Sequence, residues 1–314
     1  IINTSALVHY ILSIDNHPLT IIEVDGTLVK PVTLNTIPIN IAQRYSVILD
    51  ANQEIDNYQI RAHITDCAPV DNNTINFDSA LNYNVTGILK YDGAKDNPPT
   101  SNSYPLNTSE ECRDVNPNFL KPYFEQKVPQ NVISTFKALV NFGKAASGRG
   151  IALINNSSFV PNDNYPTIQK IVNGIKPDEL STNANPFTYE CDSGDCENAA
   201  VEILIINNTT RSHPFHVHGH DFFVLYNGET NSTIKPPQES EFNFKDPVIR
   251  DVVTVLSNST TVIRYSANNP GVWLFHCHIQ WHLSLGMAAQ LIESPSIFRN
   301  TTIPSDVTAL CAKD

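Results

Sequence analysis

Residues 271–287, GVWLFHCHIQWHLSLGM, decide how this chain is read. The run VWLF is apolar, aromatic and β-branched, which is the composition of a buried strand. Successive side chains on a strand point to opposite faces, so Cys277 projects one way and His276 and His278 the other. His282 stands five residues after the cysteine and Met287 ten residues after it. One segment is therefore expected to feed two metal sites placed back to back. A thiolate, two imidazoles and a weak axial thioether form the donor set of a blue-copper electron-transfer site. Cys277, His282 and Met287 supply three of those four, and Met287 is the only methionine in the chain.

The missing imidazole has a donor upstream. Residues 213–220, HPFHVHGH, follow a second apolar run, VEILIINN at 201–208. His213 can complete the site of Cys277, while His216 and His218, two apart on an extended segment, share a face and can meet His276 and His278. HPFHVHGH followed by HCHIQWHLSLGM resembles the C-terminal copper motifs of the multicopper oxidases, the fungal laccases above all.

That resemblance assigns His213, Cys277, His282 and axial Met287 to a type 1 copper. It assigns His216 to a type 2 copper and His218, His276 and His278 to a type 3 pair. It implies four coppers in the complete enzyme and one-electron oxidation of phenols or aromatic amines, coupled to four-electron reduction of dioxygen to water. Cys277, bonded to His276 and His278, is the expected electron path between the two sites. A Met in place of the Leu or Phe of many fungal laccases implies a low to middle potential. His220 ends the motif outside the family's ligand pattern and is expected to support its neighbours structurally.

The rest of the chain reads as all-β, and the resemblance implies cupredoxin-like Greek-key β-sandwiches, one partial and one complete. Residues 1–95 carry alternating runs with a strong hairpin signal at Asp25-Gly26. Their wording, SIDNHPLTIIEVDG and AQRYSVILDAN, resembles the second half of the family's middle domain. Residues 96–130 are rich in Pro, Asn and Ser and read as a linker, with a helical turn expected near FLKPYFEQ. Residues 131–314 are expected to form the complete C-terminal cupredoxin domain, with HIQWHLSL at 278–285 turning as a short helix. His9, His17 and His63 lie outside any ligand spacing and are read as packing or surface residues.

Composition bounds the partners. With 32 acidic against 20 basic residues the net charge is -12, which argues against nucleic acid or an anionic membrane. No apolar run approaches the ~20 residues of a membrane-spanning helix. Eleven Asn-x-Ser/Thr motifs, at Asn3, Asn72, Asn84, Asn107, Asn155, Asn156, Asn207, Asn208, Asn231, Asn258 and Asn300, suggest a secreted, extracellular protein with N-linked glycans. Cys191 and Cys196 bracket a turn-like DSGD and are expected to pair locally, and Cys67 can pair with Cys112. Cys311 is left over, and the resemblance implies a bond from it to a first domain.

A complete cluster in this family takes eight histidines, and four are offered here, with no His-x-His before residue 213. An N-terminal segment or chain is expected to supply the other four. The family's phenol-orienting carboxylate is matched here by Leu7, which leaves Asp221, Glu239 or Glu241 as candidates for that role. Gln280 replaces an acid found in some relatives, and Asp251 is expected to pair with Arg250 or with a ligand histidine. The alternatives are an oxidase of ferrous iron, of ascorbate or of bilirubin, and, in another class, a single-copper electron carrier. The four additional histidines argue against the carrier, which has no use for them.

Overall fold

A computed structural model describes residues 1–65, 84–106, 112–191, 196–231 and 234–311, with the side chains of the last two left aside. The fold is all-β, and the described residues form four sheets. Before residue 91, a four-stranded sheet runs in the order Ile37–Ile39, His9–Ile14, Asn57–Thr65, Asn84–Lys90. A three-stranded sheet, Thr27–Leu34, Leu19–Val24, Tyr45–Leu49, accompanies it. Asp25 and Gly26 join two of these strands with φ of 48° and 92°. Two positive φ values in a two-residue loop are the primed turn that follows strand twist, so the hairpin forms where the sequence signals it.

From residue 131 on, two larger sheets face each other. The six-stranded sheet has the order Ile249–Arg250, Phe222–Asn227, Ser259–Ser266, Ala199–Asn207, Asn131–Lys144, Gly150–Ile154. The five-stranded sheet has the order Pro186–Tyr189, Ala288–Glu293, Gly271–Cys277, His213–Val217, Val252–Val255. Phe136 stacks on Phe187 across the two sheets at 4.9 Å, and Tyr189 meets Tyr265 at 6.4 Å. The facing sides of the two sheets join one continuous core, while Phe223, Leu225, Ile249 and Val262 of the six-stranded sheet form a second, smaller cluster.

The linker departs from its reading in one respect. FLKPYFEQ forms no helix: after a turn over residues 117–119 it runs extended along Thr27–Leu34, with Lys30 N–H donating to Lys121 O (2.8 Å) and Tyr123 N–H to Leu28 O (2.9 Å). Pro122 explains this, because it pushes the residue before it out of the helical region and cannot donate to a helix itself. Cys191 and Cys196 are bonded as expected. Cys67 lies outside the described residues, and with it the expected pairing to Cys112. No helix among the described residues is long and apolar enough to cross a membrane.

Candidate metal centre

Register places the site. His213–Val217 runs antiparallel to Gly271–Cys277 with Phe215 opposite Cys277 and His216 opposite His276. Residues directly opposite share a face. Cys277 and Phe215 therefore turn to the core, where His213, two residues from Phe215, also points, while His216 and His276 turn to the other side.

On the core side, His213 Nδ1 lies 3.0 Å from His282 Nδ1, and Cys277 Sγ lies 3.6 Å and 3.5 Å from those two nitrogens. Cys277 and His213 are fully buried, whereas His282 is half-buried, with its Nδ1 turned inward. The loop after the cysteine delivers His282. His282 sits within the short helix Gln280–Ser284, and Met287 then folds back so that Cys277 N–H donates to Met287 O (3.1 Å) and Met287 N–H to His282 O (2.9 Å). Met287 itself is buried in the core. Gly286 makes this loop possible: its φ is 101°, and a Cβ there would stand 2.1 Å from Ser158 Oγ. Phe142 covers the rim, its ring 5.1 Å from His282 and 5.9 Å from His213.

On the other side, four imidazoles converge. His218 Nε2 and His276 Nε2 are 3.2 Å apart, and the rings of His216 lie 4.8 Å, 5.7 Å and 5.9 Å from those of His218, His276 and His278. Hydrogen bonds orient two of them. His216 Nδ1 donates to Asp251 O (2.8 Å) and His276 Nδ1 to Cys277 O (2.9 Å), which leaves each Nε2 lone pair turned into the cluster.

Burial favours the neutral imidazole at His213, His218, His276, His278 and His282. Burial lowers His276 to about 3 and His282 to about 4, and carries His213 well below the ordinary value. Burial also lowers His218 and His278, with the neighbouring histidines adding to it. Neutral imidazole is the metal-ligating form. Burial pushes the Cys277 thiol far up. A cation at the site reverses that preference, because its charge stabilises the thiolate. One soft sulfur and two imidazole nitrogens, all within 4.8 Å of one another and shielded from water, fit copper by donor type and by spacing.

The supporting residues find local partners. Asp251 does not pair with Arg250: its carboxylate takes a two-pronged hydrogen bond from Arg44 (2.5 Å and 2.8 Å), and it meets a candidate ligand, His216, through its backbone carbonyl. Neighbours on extended chain point to opposite sides, so Arg250 turns inward to Asp25 while Asp251 turns out. His220 is buried with its Nε2 2.9 Å from Glu293 Oε2, and its ring lies 4.5 Å from that of Tyr265. Glu239 lies 3.9 Å from Arg264, and Glu241 accepts from the backbone of Gln238, so each has a local structural partner. Asp221, three residues past His218, has its carboxyl raised by desolvation and by the charge of Asp251. Leu7 packs against the core, and the neighbouring Ala6 carbonyl accepts from Gln280 N–H at 3.0 Å, which ties the first residues to the helix that carries His282.

Two of the expected glycan acceptors are buried. Asn3 Nδ2 donates to Val8 O and Ile39 O, and Asn207 Nδ2 faces the carbonyls of Arg211, Val255 and Leu256. Neither amide is open to modification in the folded chain.

Comparison with known proteins agrees with this architecture. Multicopper oxidase family profiles match residues 1–94 and 160–296. The iron transport multicopper oxidase fio1 of Schizosaccharomyces pombe is 34% identical, over 100% of this chain and 48% of its own length. A laccase of Pycnoporus cinnabarinus is 33% identical, over 96% of this chain and 54% of its own. Among solved structures, the laccase from Botrytis aclada superimposes with a TM-score of 0.82 at 31% identity, covering 99% of this chain and 53% of that one. Fet3p, a multicopper oxidase that functions in iron import, gives a TM-score of 0.81 at 26% identity, covering 99% and 58%. The chain belongs to the multicopper oxidase family, whose complete members bind copper in type 1, type 2 and type 3 sites, and its fold is that of the cupredoxins. It spans about half the length of the curated relatives it matches.

Proposed function

We propose that this chain forms the electron-accepting site, and half of the oxygen-reducing site, of a laccase-type oxidase of phenols and aromatic amines. One observation carries the reading: the trio His213, Cys277 and His282 gathers on one side of the strand Gly271–Cys277, whose other side presents His276 to three further histidines. His213, Cys277, His282 and Met287 would hold a type 1 copper, His216 a type 2 copper, and His218, His276 and His278 a type 3 pair. Bound there, copper supplies one-electron acceptance from the donor and the reduction of dioxygen.

The chain's own residues do the rest. Burial keeps water from the sulfur of Cys277 and holds the imidazoles of His213 and His282 neutral before any ion arrives. Cys277 is joined by single peptide units to His276 and His278, so both sites share one covalent strand. His282, alone of the trio in being half-exposed, offers the edge at which a donor can approach. In this reading four further histidines come from another segment of the complete oxidase. Residues 1–95 are then the second half of a middle domain, 96–130 the linker and 131–314 the C-terminal domain of a secreted glycoprotein.

Oxidation of ferrous iron is the second reading, because iron transport oxidases and laccases match at similar identity. Charge favours the first. Arg211 acts electrostatically on both His213 and His282, and a cation beside the approach edge repels another cation. Steady-state oxidation rates for a simple phenol and for ferrous iron, measured on the complete oxidase, decide between them. A phenol kcat/KM above that for ferrous iron supports the proposal, and the reverse order overturns it.

A further inference from the structure

Asn207-Asn208-Thr209 has the form of a glycan acceptor, yet the structure closes it to that use. Asn207 is fully buried with its amide nitrogen facing three carbonyls, which fixes Oδ1 on the opposite side. Thr209 is buried beside it. Its Oγ1 lies 2.8 Å from Asn207 Oδ1, 3.1 Å from Arg211 O and 2.8 Å from His213 Nε2.

A hydroxyl has one proton to give. Asn207 Oδ1 and Arg211 O can only accept, so the proton of Thr209 goes to one of them. Its oxygen must then accept from His213. The imidazole is thereby held as the Nε2–H form, with its lone pair at Nδ1, the nitrogen facing Cys277 Sγ and His282 Nδ1. We infer that Thr209 is a positioning residue for copper at this site: it fixes the tautomer and ring plane of His213, and Asn207 fixes Thr209 in turn. The role in copper binding rests on His213 being a ligand, whereas the tautomer does not.

The test uses the complete oxidase with 15N-labelled histidine. Long-range nitrogen–proton correlations on the copper-free protein should show His213 as the Nε2–H tautomer in the wild type and in Thr209→Ser, and as a mixture in Thr209→Val. After reconstitution with copper, chelator competition should show type 1 copper held ~10-fold more weakly in Thr209→Val and restored in Thr209→Ser, the range typical of lost outer contacts to a ligand. The change to valine leaves the neighbouring Asn208-Thr209-Thr210 acceptor pattern intact and removes only that of buried Asn207. A wild-type His213 found as the Nδ1–H form overturns the inference without any variant. A valine variant with unchanged tautomer and unchanged copper retention overturns it as well. Nε2–H at His213 in a protein that takes no type 1 copper would instead overturn the proposed function and leave the hydrogen-bond assignment standing.

Discussion

At Met287 the side chain decides chemistry more than packing. It is fully buried, and leucine fills a similar volume, so Met287→Leu should cost under ~1.5 kcal/mol. The thioether is also the electron-donating axial group of the proposed site, and its loss should raise the reduction potential. Redox titration of the blue absorption alongside a thermal melt checks both; an unchanged potential would remove Met287 from the ligand set. His9 gives a second prediction at this scale. Burial lowers it to about 4 from the ordinary 6.5, and its ring bonds to Thr65 Oγ1 and Arg113 O. The unfolded chain binds this proton at higher pH than the folded one, so stability is full above 6.5 and falls as pH drops toward 4. The slope is up to about 1.4 kcal/mol per pH unit from this residue. Denaturant unfolding at several pH values should show His9→Gln with a shallower acid slope by one proton, and equal slopes would contradict the assignment. The six histidines and one cysteine proposed as donors are legible as a group because spacing alone brings them together. Thr209 was not, since a hydroxyl bonded to a ligand leaves no periodic mark, and its Asn-x-Thr pattern pointed to the surface instead.

Among the elements, the strand Gly271–Cys277 was readable in full, because a period of two carries both its composition and its division of Cys277 from His276. The loop that follows was readable only in part. Its short helix was expected, but the need for Gly286 comes from Ser158 and Phe159, which belong to a distant stretch. Gly286→Ala should cost ~1–3 kcal/mol in backbone strain and displaced neighbours, and should distort the site through Met287. Calorimetry and the paramagnetic spectrum of the copper protein report the two effects. A wild-type melt with a wild-type spectrum would show that the loop has slack not visible in its contacts. The strands Gly150–Ile154 and Pro186–Tyr189 carry no clear periodic mark, as each is short and takes its order from its neighbours in the sheet. FLKPYFEQ failed for a local reason, Pro122.

For the whole molecule, the halves meet at a buried ionic cluster. Arg250 Nε donates to Asp25 (2.9 Å), while Asp114, from the linker, accepts from Gln43 (2.6 Å) and Thr254 (2.5 Å) and lies 3.5 Å from Arg250 Nη1. These groups are up to 225 residues apart, which no motif or composition could have shown. Removing one member leaves the others charged and dry. Arg250→Leu should therefore cost ~3–5 kcal/mol in denaturant unfolding, and a loss below 1 kcal/mol would mean that the carboxylates are already neutral. Arg44 extends the same contact to Asp251 and thus to His216, so the packing of the two halves also braces the histidine cluster. The central claim is that Cys277 anchors a copper distinct from those held by the histidines behind it. The most direct test is copper content with visible and paramagnetic spectra for the complete wild-type oxidase and for Cys277→Ser. The serine variant should lose the blue absorption and one copper and keep the type 2 signal. A blue absorption that survives the substitution, or a copper content that does not fall, would contradict the account.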